Sequence, residues 1–306
     1  MLTSPLHALL DSGIPATGST ECTTVVILHG YAWHSGSFSK LIPCAHPRNA
    51  RVLLVNRRDY PGSQPYTEAD RGLLQALTPD AVAAAEPGVE TFTKARAREL
   101  YDFLVELVKR GDPPYHHLGD PSPEPPLYNP LFDEELLPKD REPAYTKGVS
   151  GYYVHGDTLD TLERKAFLPD PRPTLYTLTL EDIGRTMCLS SGGPGGSEEV
   201  LLHTGIGVGL FRAQRDYVIY IADSVTHVGD AWRDVEVRYV WCERSICEVV
   251  WGAKMLRKEV GAARVQGLPI RKVRIVFIRG ANHLYVQWDQ PELALLSLVG
   301  NVDRTE

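Results

Sequence analysis

A three-layer α/β domain is the fold class this sequence predicts, and three observations carry it. Four short runs rich in Val and Ile, at 23–30, 51–59, 236–243 and 273–280, show little alternation of apolar and polar residues. Strands covered on both faces, as in a mostly parallel sheet, have that pattern, whereas half-solvated strands alternate. Helical periodicity lies between and after these runs at both ends of the chain, and such alternation builds layered α/β cores. The middle, residues 112–200, is crowded with Pro and Gly, in stretches such as PSPEPP, PDPRP and SGGPGG. Those residues suit connections and fit poorly in a central strand.

A weaker fifth strand candidate is LHALL (6–10), which ends in the turn-like DSGIP. The best helical pattern is 91–111, where Phe92, Ala95, Leu100, Phe103, Leu104, Leu107 and Val108 share one face. Thr91 or Thr93 can cap its start, Lys109 and Arg110 suit its last turn, and Gly111 supplies a stop. Residues 245–260 and 290–301 read as two further helices, and 217–223 fits a strand or a buried helical turn equally. The expected organisation is 1–112 as the N-terminal part of the core, 113–234 as a cap or insertion, and 235–306 as the C-terminal part of the core.

With 306 residues the chain can hold one large domain or a core with an inserted subdomain. A formal charge of −7 without long basic runs argues against nucleic acid or an anionic membrane as partner. No apolar run reaches the roughly 18 residues that span a bilayer. The start, MLTSPLHALLDSG, has no basic residue before its short apolar stretch, so a secretory signal is not expected. Five scattered cysteines without a CxxC pair fit reduced thiols, and a cytoplasmic location is expected. The adjacent pair His116 and His117 sits among prolines without ligand spacing, so neither a metal nor another cofactor is expected. A small molecule is the expected partner; oligomeric state is not readable.

Three motifs carry chemistry. The strand-like VVIL runs into His29, Gly30, Tyr31 and Ala32. Backbone amides just past a strand's carboxyl end can face the crevice where open α/β sheets bind ligands, and can stabilise an oxyanion. Taken alone, the His-Gly dipeptide reads equally as an ordinary turn. The second motif is Gly280-Ala281-Asn282-His283, after the strand-like VRIVFI. His283 could act there as a general base or serve as a structural histidine. The third is Glu243, which follows VRYVWC and could orient His283. Asp289 and Glu248 are alternative acids, although Asp289 also suits the start of a helix.

This order of motifs, with NRRDYPGSQP (56–65) and ANHLYVQWDQPE (281–292), resembles the α/β-hydrolase superfamily across 5–111 and 236–300. The resemblance implies an α/β-hydrolase-like, mostly parallel sheet under a cap, and an ancestral activity on an ester, epoxide or similar bond. It makes His283 the catalytic histidine, Glu243 the acid, and the backbone at Tyr31 and Ala32 part of an oxyanion hole, with His29 and Gly30 supporting that loop.

The nucleophile is missing. The family's strand–elbow–helix, G-x-S-x-G, is absent. Gly148-Val149-Ser150-Gly151 is one position short, Ser191 precedes a glycine run that reads as a flexible loop, and Cys242 and Cys247 flank the acid loop. The helix at 91–110 runs directly into Gly111-Asp112-Pro113-Pro114, where the family pattern would place a strand, the elbow, a helix and another strand. A sheet shortened by an internal deletion follows, with residues 24–28 expected to pair directly with 237–241. The chain as written is then impaired or inactive, the alternative being a non-catalytic protein that binds a small molecule. If the deletion arises from a skipped coding segment, transcript sequencing across the Arg110–Asp112 junction will return an in-frame insertion encoding G-x-S-x-G. Uniform transcripts without it mean that the deletion is genuine.

Overall fold

The computed structural model describes residues 5–16, 22–76, 78, 95–96, 98–99, 127–193, 195–221, 235–283 and 285–300. Two compact units divide the chain. Residues 1–116 with 180–213 form the first, and 117–179 with 214–306 the second.

In the first unit a three-stranded sheet has the order β1 (His7–Asp11), β3 (Ala50–Asn56), β2 (Thr23–Leu28). β2 and β3 are parallel, in register from Thr23 beside Ala50 to Leu28 beside Val55. β1 is antiparallel to β3, with a register shift between Ala8 and Leu10. Every residue of β3 except Arg51 is buried, which is why its sequence reads as an unbroken apolar run. Leu53 and Val55 pack with Leu6 and Val26. A second cluster joins Tyr66 and Leu210 to Leu73, Val200 and Leu201, on the helices Glu68–Gln75 and Ser197–Gly207. The earlier of these helices is capped reciprocally: Asp70 N–H donates to Thr67 Oγ1, and Thr67 N–H to Asp70 Oδ2, both at 3.1 Å.

The second unit holds β4 (Glu236–Cys242) and β5 (Lys272–Ile278), parallel and in register along their length. The helix Cys247–Val265 makes the crossover that a parallel pair requires. Its apolar face packs on the pair in two clusters. One contains Trp241, Val250, Trp251 and Phe277; the other contains Val237, Leu256, Val260 and Val273. Helices Pro138–Val149 and Pro291–Val299 also belong to this unit.

The chain is thus α/β, built of helices and small sheets, but the expected single sheet is not found among the described residues. Among the described residues β2 pairs with β3 and β4 with β5, in separate sheets, and the pairing of 24–28 with 237–241 is not formed. In both parallel pairs a strand is laddered to the one that follows it in sequence, the partner delivered at low loop-closure cost, whereas β1 skips β2 to pair with β3. The stretch 113–234 is divided, 113–116 and 180–213 going with the first unit, 117–179 and 214–234 with the second. Of the helical pattern at 91–111, residues 95–96 and 98–99 are helical; the remainder, with the Arg110–Asp112 junction, lies outside the described residues. The ambiguous 217–223 continues a helix to Ile219, after which Tyr220 bridges to Ile270; 222–223 fall outside the described residues.

The glycine run after Ser191 is not the loose loop its composition implied. A Cβ on Gly196 would lie 2.3 Å from the Ser191 carbonyl oxygen, and one on Gly192 would lie 3.0 Å from Ala32 Cβ. Close approach of backbone requires glycine at Gly196, and at Gly192 a Cβ would crowd the Ala32 side chain.

Leu54 is fully buried at the centre of β3. Leu54→Ala should lower unfolding free energy by about 2–5 kcal/mol in urea titrations followed by far-UV circular dichroism.

Candidate functional site

His29, Gly30, Tyr31 and Ala32 follow β2 in the first unit. The His29 ring is buried; its Nε2 accepts from the Arg57 N–H at 3.1 Å while Nδ1 faces the Gly30 oxygen at 3.0 Å. That pairing requires the neutral ring with its proton on Nδ1. Burial, then the Arg57 charge, hold its pKa well below the usual imidazole value. The ring also packs edge-on to Tyr60, centroids 4.1 Å apart. His29 is therefore a strut between the ends of β2 and β3.

Ala32 is fully buried with φ of 59°, and the Trp33 N–H donates to the Tyr31 oxygen at 2.7 Å across it. The Tyr31 hydroxyl donates to the Gly192 oxygen at 2.5 Å, and the Ala32 oxygen accepts from the Cys188 N–H at 2.9 Å. The loop is a tight, well-anchored turn.

Glu243 and His283 belong to the second unit, in the loops at the carboxyl ends of β4 and β5. The strands are parallel neighbours, so these loops must emerge side by side. Glu243 N–H donates to the Ile278 oxygen at 2.9 Å, and Arg244 N–H to the Ala281 oxygen at 2.8 Å. The Glu243 carboxylate accepts from the Gly280 N–H at 2.7 Å. Gly280 has φ of +72°, a conformation that favours glycine. The acid thus grips the histidine loop by its backbone.

Asn282 anchors the same loop from the other side. Fully buried, it donates through Nδ2 to the Ser150 oxygen at 2.6 Å and to Thr174 Oγ1 at 3.0 Å. The next residue, His283, is exposed and lines a cavity of about 310 Å³ with Tyr145, Tyr239, Glu248 and Trp251. Burial pushes the Glu248 carboxyl up to about 6, opposed by the Asn129 amide, whose Nδ2 lies 3.1 Å from Oε1. Asp289, the remaining candidate acid, accepts from Thr174 Oγ1 at 3.3 Å and the Tyr152 hydroxyl at 3.4 Å.

Sequence reasoning missed the anchoring role of Asn282 and the perturbed Glu248. The signal for Glu248 was a carboxylate in the first turn of a helix that starts directly after a strand loop. Motif fragments that imitate a nucleophile are occupied otherwise. Ser150 Oγ donates to the Lys147 oxygen at 2.9 Å, and Ser191 Oγ to the Asp59 oxygen at 2.9 Å. Burial raises the Cys242 thiol to about 12 and that of Cys247 to about 11, leaving little thiolate at neutral pH. Among the described residues no group of three or more His, Cys, Asp and Glu could hold a metal ion, and no helix is long and apolar enough to cross a membrane. His116 and His117 lie outside the described residues.

No family profile and no curated protein matches this sequence. Among solved structures, an epoxide hydrolase from Vigna radiata aligns over 91% of this chain and 90% of its own, at 14% identity and a TM-score of 0.43. Potato (Solanum tuberosum) epoxide hydrolase I aligns over 90% and 91%, at 14% identity and a TM-score of 0.38. An epoxide hydrolase from an endophytic Streptomyces aligns over 90% and 88%, at 13% identity and a TM-score of 0.35. These likenesses are distant. They define neither family nor activity.

The raised Glu248 carboxyl has a signature in stability. Its folded pKa of about 6 exceeds the ordinary 4.5, so the folded protein holds the proton more tightly than the unfolded chain. Unfolding free energy should therefore fall as pH rises between those values and level off above. Urea titrations across that window should show the slope, and Glu248→Gln should remove this contribution to it.

Proposed function

We propose that this chain is an α/β-hydrolase-like protein that retains a small-molecule cavity and a histidine–acid pair but lacks the covalent step. The observation that carries the reading is the meeting of two loops at the carboxyl ends of β4 and β5, where Glu243 holds Gly280 and His283 opens onto a cavity. A cavity of about 310 Å³ with aromatic walls, and with Arg215, Glu248 and His283 among its lining, suits a small ligand that carries both apolar and polar groups. Glu248, on the same wall, supplies a carboxyl that changes charge close to neutral pH.

In this reading His283 is the catalytic histidine and Glu243 the acid that positions its loop. The assignment of the Tyr31 and Ala32 amides to an oxyanion hole rests on the sequence resemblance alone, as does the choice of an ester or epoxide as ancestral substrate. Without a nucleophilic side chain no covalent intermediate can form. What remains is attack by water: His283 accepts its proton as the new C–O bond forms, the ester or epoxide C–O bond breaks, and the proton is returned to the departing oxygen. The second reading, ligand binding without turnover, draws on the same cavity.

Hydrolysis of a p-nitrophenyl ester discriminates these outcomes. The wild type should show no burst of product, and slow turnover that His283→Ala lowers by about 10²-fold or to the buffer rate. A burst would mean that the chain holds a nucleophile after all. Equal rates in the two proteins would remove His283 from the chemistry and leave binding as the function.

A further inference from the structure

Glu248 is a carboxylate without a counter-charge. It sits half-buried in the first turn of the helix Cys247–Val265, and among the described residues no cation offsets it. Its polar partner there is Asn129, whose Nδ2 lies 3.1 Å from Oε1 and 3.3 Å from Oε2. The Asn129 amide is locked in that orientation, because its Oδ1 accepts from the Leu131 N–H at 3.0 Å. A carboxylate can accept roughly four hydrogen bonds, so one amide group leaves most of its capacity unused. Burial raises the carboxyl to about 6, and the Asn129 amide alone opposes that rise.

The residue lines the His283 cavity, and the other full charge on that wall is already offset. Arg215 is paired to Asp216 at 3.0 Å and to Glu259 at 3.2 Å. One positive charge, Arg215, therefore stands against three negative ones, Asp216, Glu259 and Glu248. Lys147, Arg164 and Lys165 border the separate space on the far side of Glu248, and none of them contributes to the pKa of its carboxyl. The Tyr239 hydroxyl, raised by burial to about 12, stays neutral, and so is His283 in its proposed role as a base.

A cation is what this wall lacks. A metal ion does not fit, because among the described residues no group of three or more His, Cys, Asp and Glu could hold one. An organic cation does, since Tyr145, Tyr239 and Trp251 supply aromatic surface that attracts positive charge and also accommodates an apolar body.

We propose that the His283 cavity takes a small primary ammonium ion with an apolar body, its N–H groups on the Glu248 carboxylate and its body among Tyr145, Tyr239 and Trp251. This names the ligand class of the site proposed above and rests on that reading for the cavity, not for turnover.

Titration of the full chain with benzylamine, benzyl alcohol and benzoate, followed by 1H–15N NMR, tests the assignment at about pH 8, where amine and carboxylate are both charged. The probes share one ring and differ in charge. Benzylamine should shift the Tyr145, Glu248 and Trp251 amides saturably; benzyl alcohol should bind at least about tenfold more weakly and benzoate not at all. Glu248→Gln should weaken benzylamine about tenfold and leave benzyl alcohol within about twofold, a split that misfolding would not produce. Absence of a saturable benzylamine shift at those amides, or benzyl alcohol binding as tightly, would overturn the proposal. So would a Glu248→Gln protein that keeps its benzylamine affinity or loses both ligands alike. Benzylamine binding without ester turnover would remove the catalytic reading alone. Ester turnover that His283→Ala abolishes, in a chain that ignores benzylamine, would remove the ammonium site alone.

Discussion

The first unit depends on β3. Among the described strands it alone is paired along both edges, antiparallel to β1 and parallel to β2. A strand so placed must be apolar on both faces, and Val52, Leu54 and Val55 are fully buried. The same burial forces the strand to end in a residue that can satisfy several backbone groups at once. Asn56 does this: its Oδ1 accepts from the Ser35 N–H and hydroxyl, and its Nδ2 donates to the Pro61 oxygen. The loop 57–66 is thereby fixed, and with it the positions of Arg57, Asp59 and Tyr60.

The second unit solves a related problem with two strands. Its parallel pair is short of partners, and the helix Cys247–Val265 supplies the missing cover on one face. Parallel pairing also has a chemical consequence, because both carboxyl-end loops emerge on the same side. Glu243 and Asn282 use this to clamp the loop between them, one by a backbone amide and the other through Ser150 and Thr174. The imidazole of His283 is thus carried on a rigid support while remaining at the surface.

Much of this was readable from composition. Unbroken apolar runs located four strands to within two or three residues, because complete burial leaves a plain signature. LHALL was the weak case since β1 is an edge strand with a half-exposed pattern. The pairing of strands was not readable: apolar content says that a strand is buried but not beside which neighbour. Gly192 and Gly196 illustrate the same limit. Their composition implied looseness, whereas the contacts that exclude a Cβ at Gly196 and crowd one at Gly192 exist only once the chain is folded. Glu248 read as an alternative acid at a helix's start, and the burial that raises its pKa, beside the cavity walls it shares with Tyr145 and Ile246, could not be seen in one dimension.

Those three residues have one more implication. Tyr145, Ile246 and Glu248 line the His283 cavity and also a second space of about 180 Å³ walled by Tyr128, Tyr153 and Phe167. They form a wall common to the two spaces. A ligand that fills one space ends against this wall, so its length is limited there. Trimming Ile246 would let an elongated molecule thread from one chamber to the other, so ligand length is the property most open to change by a single substitution.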